Sequence, residues 1–498
     1  MKIVKNIILT SVVLTTLASC DMDKYPYDSI PVDNAIQSVS DCEKLRAGMY
    51  RDLRIISQST NSLASDFQAD EFIPAEYFGN QFGSLYRWEA TPSEGSFGTV
   101  WGNSYTTIAQ CNLLIDGIQK LIDGESLDTD EIATVKNIQG EAYMVRAYAY
   151  ATLADRYCAN YDASTAANTY GVPLVTKYSP SADNSTYPGR STLEETYQRI
   201  KEDIQNARTN LSAPGTQSSE YLTTDALDAF EARIALLTKD YDTAISKAEA
   251  LINSNRYPLI NDGAAFQAMW LNDVTTEVIC QLYSSKLQLA PAMGSYFLDE
   301  ILHKPSFLPS ADIINSYSEN DIRLQTYFAI DNVVFSGNVT HPMVVFNKYP
   351  GNPDMYEGSN NYVNKPKIFR IAEQYLIAAE ARFQKGGTDN ESKAYNWIYT
   401  LISARDQSAI RNEVRGTALQ NLIRQERERE LLGEGFRLTD LKRYGEGFTR
   451  QNPQDASLSY QLGLGINVSA DNPRWIWAIP QSEIEANPQI KEQQNPGY

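Results

Sequence analysis

The chain has 498 residues, an apolar content of 42% and a formal net charge of −19 at pH 7. This length is enough to bury a sizeable core, and the acidic excess argues against nucleic acid and anionic membrane surfaces as partners. Only two histidines, His303 and His341, are present, and the sequence has no CxxC, HExxH or GxSxG motif. Most zinc and triad chemistry needs imidazole, so we expect neither a metal site nor a cofactor.

Residues 1–20 have the layout of an export signal. Lys2 and Lys5 precede an apolar stretch that is too short to span a bilayer. The stretch ends in Leu-Ala-Ser-Cys at 17–20, which resembles a lipobox, where the cysteine is acylated and becomes the mature N-terminus. An ordinary secretory signal that ends by chance in a cysteine is the alternative. We therefore expect lipidation at Cys20.

This interpretation sets the expected domain boundaries. Residues 1–19 are a lipoprotein signal peptide, and residues 20–36, with two prolines and no helical period, are a lipidated N-terminus and extended tether. Residues 37–498 form one domain. No later stretch has 18 consecutive apolar residues, so we expect the lipid to be the only attachment to a membrane.

Helical periodicity dominates the mature chain. The stretches 223–258 and 368–404 each resemble one tetratricopeptide unit, with small residues at helix contacts. Degenerate copies are expected for 37–58 with 97–120, and for 131–158 with 191–211. The fold class is therefore mainly α: degenerate tetratricopeptide-like helix pairs form a helical back, with a loop-rich face and a few short strands.

Irregular segments interrupt the helices, and long loops in a compact fold are usually functional. These segments are 59–96, 159–190, 259–364 and 445–474. Near the C-terminus, 475–479 is expected to be a strand, followed by a capping box of Ser482 and Glu485. The four later cysteines, Cys42, Cys111, Cys158 and Cys280, fit no metal motif. We expect buried free thiols, although the cell envelope would permit a disulfide.

The segment 70–88 is the first candidate for ligand contacts. It carries six aromatic residues, two glycines and an asparagine in nineteen residues, with neither strand alternation nor a helical step. Rings on such a loop can stack on a ligand while polar neighbours supply hydrogen bonds. Core packing and contact with a partner protein are the alternatives. The candidate residues are Glu76, Tyr77, Phe78 and Asn80.

A second candidate region is 283–307, where aromatic residues lie near prolines. The candidate ligand contacts there are Tyr283, Tyr296, Phe297, His303 and Phe307. For His303, a structural role is the favoured interpretation.

Several blocks of the sequence resemble the SusD/RagB family of nutrient-binding lipoproteins. They are 146–157 with 170–175, the later repeat at 370–381, the charged block QEREREL-LGEGFR at 425–437, and the close at 479–498. The charged block is the most specific of these, and all of them occur in family order behind a lipobox. The resemblance covers nearly the whole mature chain.

This resemblance implies a helical lipoprotein of the outer membrane, facing the cell exterior, that acts as lid of a SusC/RagA-like TonB-dependent barrel. It implies a ligand that is an oligosaccharide or an oligopeptide, with a slight lean toward the peptide-handling branch, and no enzymatic activity. The segment around Tyr77, Phe78 and Asn80 has the position of the family's stacking loop.

The charged block also has an interpretation from its residues alone. Glu426, Arg427, Glu430, Arg437, Asp440 and Arg443 alternate in sign at helical spacing, which favours paired hydrogen bonds within the fold. A catalytic acid pair is the functional alternative, but neighbouring arginines would depress the pKa of those carboxyls. Two functions from other classes stay open: a surface carboxylate-dependent glycoside hydrolase, and a periplasmic helical-repeat scaffold.

Overall fold

The long helices begin where the sequence supplies caps. The computed structural model describes residues 35–76 and 78–498, so the predicted signal peptide, Cys20, most of the tether and Tyr77 lie outside the described residues. Asp128 accepts hydrogen bonds from the N–H groups of Asp130 and Glu131, while the Glu131 carboxylate accepts one from the Asp128 N–H. This capping box satisfies N–H groups that have no partner inside the helix. Thr192 and Glu195 form a second one.

The helices of the described chain, in order, are α1 (Val39–Ser57), α2 (Thr60–Gln68), α3 (Gly83–Tyr86), α4 (Gly95–Asp123), α5 (Thr129–Tyr157), α6 (Leu193–Asn210), α7 (Thr224–Leu237), α8 (Tyr241–Asn253), α9 (Gly263–Leu271), α10 (Ala311–Asn315), α11 (Ile322–Tyr327), α12 (Ile371–Lys385), α13 (Thr388–Arg405), α14 (Gly416–Leu431), α15 (Arg437–Tyr444) and α16 (Gln481–Ala486).

The four predicted helix pairs are confirmed. Helix α1 packs on α4, α5 on α6, α7 on α8, and α12 on α13. Contacts of α4 with α5 and of α8 with α12 join the pairs into a helical back. Small residues permit the close approach: a Cβ at Gly140 would lie 2.7 Å from the backbone nitrogen of Leu211. Ala244 and Ala248 are likewise fully buried.

The strands form four two-stranded antiparallel sheets in the described chain. They are β1 (Phe72–Pro74) with β3 (Phe307–Pro309), β2 (Val278–Gln281) with β6 (Lys367–Arg370), β4 (Phe328–Val334) with β5 (Thr340–Phe346), and β7 (Phe448–Thr449) with β8 (Asn467–Val468). The β4–β5 hairpin lies inside a segment that the sequence marked only as irregular. Phe328 and Val333 are buried there while Ile330 is 80% exposed, so only part of the hairpin rests on the core.

Two local predictions near the C-terminus are wrong. No strand forms at 475–479; instead Pro473–Trp475 is a short 3-10 helix. The backbone N–H of Trp477 donates to the Arg156 carbonyl, and the Ile479 N–H donates to the Gln494 side chain. These groups therefore have tertiary partners in place of a neighbouring strand. Helix α16 starts after Pro480 without a side-chain cap, so the capping box at 482–485 does not form either.

The charged block is structural, as predicted. Glu430 is fully buried and its carboxylate oxygens lie 3.0 Å from Arg405, 2.8 Å from Arg370 and 3.1 Å from Arg323. Burial alone would raise its pKa, but the three arginines hold the pKa of Glu430 well below its usual value. We call Glu430 and these three arginines the Glu430 cluster. On another face of α14, Arg427 donates to Asp440 at 2.7 Å.

The prediction for the cysteines is also confirmed. Cys42, Cys111, Cys158 and Cys280 are free and buried, and burial raises the pKa of the Cys42 thiol to about 11. Within residues 35–76 and 78–498, no helix is long and apolar enough to cross a membrane.

Candidate functional site

Strand pairing brings the two candidate regions of the sequence together. In the β1–β3 sheet, Phe72 pairs with Pro309 and Pro74 pairs with Phe307. The ring of Phe307 stacks on Phe67 at 3.9 Å between centroids and lies 5.9 Å from Phe78. The two regions therefore meet in one aromatic layer, although more than 200 residues of sequence separate them.

A third segment completes this surface. Ala75 bridges to Ser459, the Glu76 N–H donates to the Leu458 carbonyl at 3.2 Å, and the Tyr460 N–H donates to the Pro74 carbonyl at 2.9 Å. The Tyr460 ring then lies 4.6 Å from the ring of Phe78. We call residues 75–76, 78–88, 296–309 and 455–461 the loop face.

Three residues of the first loop have left-handed backbone conformations. Gly79, Asn80 and Phe82 have φ angles of 65°, 59° and 56°. Glycine and asparagine adopt this left-handed conformation readily, whereas a bulky ring does so rarely and at some cost. A Cβ at Gly83 would lie 2.1 Å from the Asn80 side-chain oxygen. Gly83 therefore leaves space for the amide of Asn80 to fold against the loop.

Polar groups form the exposed edge of the loop face. Arg87 Nη1 donates to Asn80 Oδ1 at 3.1 Å and lies 3.5 Å from the Tyr460 hydroxyl. The Arg87 Nε donates to Glu89 at 2.8 Å, while Glu76 and Asn80 are exposed. We call Glu76, Asn80, Arg87 and Tyr460 the polar rim. It presents amide, carboxylate, guanidinium and phenol groups above the aromatic layer.

A single arginine anchors the base of the first loop. The Arg450 guanidinium donates to the carbonyls of Gln68, Ala69 and Tyr86 and lies 3.8 Å from the centroid of the Tyr86 ring. Burial lowers the pKa of Arg450 to about 10 and raises that of Tyr86 to about 12. Both ends of the segment 69–86 are thus tied to one fixed cation.

Three buried acids, Asp66, Asp70 and Glu71, lie at the start of the same segment, and the half-buried Glu428 of α14 lies beside them. Arg437 pairs with Asp70 at 2.7 Å and Glu428 at 3.0 Å, and its Nε lies 3.9 Å from Glu71. Asp66, one helical turn earlier, accepts from the Gly435 N–H at 2.7 Å. Burial raises the pKa of Asp66 to about 7 and that of Glu71 well above its usual value. Asp66, Asp70 and Glu71 therefore lie in the interior, beneath the loop face.

Three predicted contact residues have a different position from the one expected. The rings of Phe78, Phe297 and Phe307 are 5%, 1% and 0% exposed. Phe297 is 5.4 Å from Phe67 and 4.6 Å from Phe346, so its ring faces are covered by protein. The core-packing alternative fits these three rings, because a covered ring has no face for a ligand to stack on.

Of the other predicted contacts that the structure describes, three lie on or beside the polar rim, and Tyr283 and His303 lie away from it. Glu76 and Asn80 lie on the polar rim, and the half-buried Tyr296 lies 6.0 Å from Phe82 at its border. Tyr283 is 43% exposed and its carbonyl accepts from Arg54 of α1, so it is held against the helical back. His303 lies beside the β4–β5 hairpin, with Nδ1 3.2 Å from Asp331 Oδ2.

Arg87 and Tyr460 belong to the rim although sequence reasoning did not select them. Arg87 lies within the aromatic segment 70–88, but it is a single base between two rings and carried no signal of its own. Tyr460 lies in an irregular segment that carried no local aromatic cluster. Only its pairing with Pro74 places it at the site.

A helical back of paired helices that carries a loop-built face is a class of fold shared with known proteins. One family model, described as "Starch-binding associating with outer membrane", matches residues 22–236, and a second, described as "SusD family", matches residues 310–498. The chain belongs to the SusD/RagB family, as its motifs predicted.

Individual relatives agree over their full lengths. SusD-like protein P38 of Formosa agariphila is 24% identical over 96% of this chain and all of its own. The crystal structure of a SusD superfamily protein from Bacteroides thetaiotaomicron superposes with a TM-score of 0.76 at 24% identity, covering 92% of this chain and 100% of that one. The crystal structure of a putative sugar binding protein from Bacteroides vulgatus superposes with a TM-score of 0.76 at 23% identity. This match covers 93% of this chain and 99% of that one. The two structures show that the fold is shared.

Proposed function

We propose that this protein captures an oligosaccharide at the loop face and delivers it to a SusC-like, TonB-dependent transporter of the outer membrane. The observation that carries the proposal is the polar rim above a rigid aromatic layer. Asn80 and Arg87 present hydrogen-bonding groups 3.1 Å apart, a spacing that suits neighbouring hydroxyls of a sugar ring. The partly exposed rings of Tyr296 and Tyr460 offer surfaces for stacking.

Two descriptions of related proteins support a sugar over a peptide. One matching family is described as starch-binding, and one structural neighbour is a putative sugar binding protein. The rim itself carries one acid, Glu76, and one base, Arg87, so its four residues have no net charge. A site for a peptide would be expected to carry charged side chains that pair with the peptide termini. Binding of a peptide would therefore contradict the proposal of an oligosaccharide ligand.

Lipid attachment at Cys20 and exposure at the cell surface complete the proposed function. Cys20→Ala should release the protein from outer membranes without changing its melting temperature, because the attachment is an acyl group and not a helix. A variant that still sediments with outer membranes in high salt would contradict lipidation. Protease treatment of whole cells separates surface exposure from the periplasmic scaffold, since a periplasmic protein would survive it.

The proposed role is binding without catalysis. A glycosidase needs two accessible carboxyls at a defined separation, one of them protonated at neutral pH. Beneath the loop face, Asp66 and Glu71 have raised pKa values but are only 1% exposed, and the arginines around Glu430 hold its pKa well below its usual value. Chromatography of glycans after incubation with the protein tests this, and shortened products would establish the hydrolase alternative.

The decisive experiment is calorimetry with oligosaccharides selected on a glycan array. The double variant Asn80→Ala/Arg87→Ala should lose at least tenfold in affinity, about 1.4 kcal/mol, with little change in melting temperature. Lys393→Ala, an exposed residue of α13, is the matched control and should bind as wild type does. Wild-type affinity in the double variant would remove the loop face from the site and leave Tyr283 as the next candidate.

A further inference from the structure

Two carboxyl groups beneath the loop face are buried, and each has one oxygen without a donor in the part of the chain that the structure describes. Asp66 lies in the last turn of α2, where its Oδ2 accepts from the Gly435 N–H at 2.7 Å and its Oδ1 has no partner. Glu71 directly precedes β1, and its Oε2 has no partner. A buried carboxylate in this state is costly when it is ionised, because too few donors compensate its charge.

The one base that reaches this group of acids is already engaged. Arg437 donates to both oxygens of Asp70 at 2.8 and 2.7 Å and pairs with Glu428 at 3.0 Å. Its Nε lies 3.9 Å from Glu71, which is beyond hydrogen-bond distance. Three acids therefore share one guanidinium, and Asp66 adds a fourth carboxyl one helical turn earlier. The negative charges exceed the base that is available to them.

Charged and titratable groups from several other elements also face Asp66 and Glu71. They are Asp70, Arg156 of α5, Tyr317 after α10, Lys348 and Tyr349 after β5, Glu428 of α14 and Arg437 of α15. The two further cations are each paired with another acid, since Arg156 donates to Asp155 and Lys348 donates to Glu434. They attract Asp66 through space, but burial remains the largest influence on the pKa of both acids.

These acids are joined directly to the two strands beneath the loop face. The Ser310 N–H, which follows β3, donates to the carbonyl of Glu71 at 2.9 Å. The Ser310 hydroxyl donates to the Gln451 side chain, whose amide donates to Glu428 at 3.0 Å. Any repulsion between the carboxylates therefore acts on the ends of β1 and β3 together. Those strands hold the two candidate regions of the sequence side by side.

From this arrangement we propose that Asp66 and Glu71 form a pH-dependent switch, in which their protons hold the β1–β3 end of the loop face closed. When the protons leave, carboxylates without sufficient donors repel Asp70 and Glu428, and this end of the loop face opens. The switch itself does not need a ligand. Its consequence for ligand capture, a weaker affinity at higher pH, rests on the proposed function.

The direction of the pH effect follows from the pKa values. Burial raises the pKa of Asp66 to about 7 and that of Glu71 well above its usual value. A raised pKa means that the closed, buried state binds the proton more tightly than an opened state in which water reaches the carboxyl. The closed state is therefore favoured at low pH, and it loses this advantage as the pH rises through 7.

Hydrogen exchange of the ligand-free protein, followed by mass spectrometry, tests the switch. After correction for the intrinsic exchange rate, protection of the amides in 70–76 and 306–310 should fall at least tenfold between about pH 6 and about pH 8.5. Helix α8, which lies in the helical back, should keep its protection over the same range. Protection of 70–76 that is the same at both pH values would overturn the proposal.

A double variant and a matched control assign the effect to the two acids. Asp66→Asn/Glu71→Gln removes both titrating groups and keeps their shape, so its protection should change by less than twofold over the same pH range. Asp471→Asn/Glu485→Gln makes the same chemical changes at exposed positions and should respond as wild type does. A pH response in the folded double variant equal to that of wild type would overturn the switch.

Infrared difference spectroscopy keeps the proposal testable if the double variant does not fold. At about pH 6, wild type should show the band of a buried protonated carboxyl, and Glu71→Gln alone should reduce its intensity. Absence of this band from wild type would overturn the proposal. Calorimetry with an oligosaccharide is a separate measurement: if none binds at either pH while the exchange result holds, the proposed function fails and the switch stands.

Discussion

The Glu430 cluster is dense in charged side chains, and the loop face is dense in aromatic rings. The two regions differ in which of their side chains are buried and which are exposed. In the cluster every charge turns inward and has several partners. In the loop face the phenylalanine rings are buried, and the polar residues between them form the exposed edge. The comparison shows that a cluster of aromatic residues in the sequence can form a buried layer as readily as a binding surface. Buried rings of this kind fix the conformation of the loop that carries them.

The largest expected effect is in the Glu430 cluster. Glu430→Ala leaves Arg405, Arg370 and Arg323 buried without their shared anion, which should cost roughly 3–5 kcal/mol of unfolding free energy. Urea denaturation followed by circular dichroism measures it. Lys393→Ala, which removes an exposed i,i+4 pair, should leave the unfolding curve unchanged. A Glu430 variant that unfolds like wild type would show that the cluster does not stabilise the fold.

The next effect separates the aromatic layer from the rim. Phe78→Ala should destabilise the protein by about 3 kcal/mol, because a ring that is 5% exposed leaves a cavity against Phe307 and Tyr460. Thermal unfolding measures this. Gln81→Ala, at an exposed position of the same loop, is the matched control and should melt with wild type. If Phe78→Ala kept its melting temperature and lost ligand affinity, Phe78 would be a contact residue after all.

The buried acids below the loop face predict a pH dependence. The pKa of Asp66 is raised from 3.8 to about 7, with burial as the main cause. A raised pKa means that the folded state holds the proton more tightly than the unfolded chain. The contribution of Asp66 protonation to the free energy of unfolding is therefore complete below about pH 4. It is lost as the pH rises through 7.

Between pH 5 and pH 8, wild type should lose on the order of 1–3 kcal/mol relative to Asp66→Asn. The variant keeps an amide oxygen for the Gly435 N–H and removes the titrating group. The measurement is urea denaturation of both proteins at each pH. Parallel pH profiles for the two proteins would exclude Asp66 as the source.

The smallest expected effect is on the rim. Arg87→Ala removes a side chain that bonds Asn80 and Glu89 at the surface, so stability should fall by about 1 kcal/mol or less. Differential scanning calorimetry measures this. A loss as large as that of Phe78→Ala would mean that Arg87 supports the layer and is not free to serve a ligand.

Much of the fold follows from local sequence patterns. The helix pairs at 223–258 and 368–404 were predicted because small residues recur at three- and four-residue steps, and a helix reports its buried face within a few turns. The alternating charges of 426–443 were likewise predicted as structural, since acids and bases at helical spacing find each other nearby. Buried free cysteines followed from spacings that fit no metal motif.

The candidate site was predictable only in part. The sequence selected the segments 70–88 and 283–307, and it named Glu76 and Asn80, which lie on the rim. It could not show that β1 pairs with β3, because strand partners more than 200 residues apart leave no periodic signal. It also missed Arg87 and Tyr460, and the β4–β5 hairpin, whose strands rest only partly on the core.

The sequence by itself therefore determined the helices, their paired arrangement and the family, because these depend on short-range spacing and on motifs in order. The tertiary structure decided which aromatic rings lie in the core and which polar groups face outward. That choice depends on what covers a side chain from distant parts of the chain: Phe307 and Tyr460 cover Phe78, while Asn80 next to it stays exposed. Burial depends on the residues that surround a side chain in space, and most of those residues are distant in the sequence. The neighbouring residues in the sequence therefore indicate burial only in part.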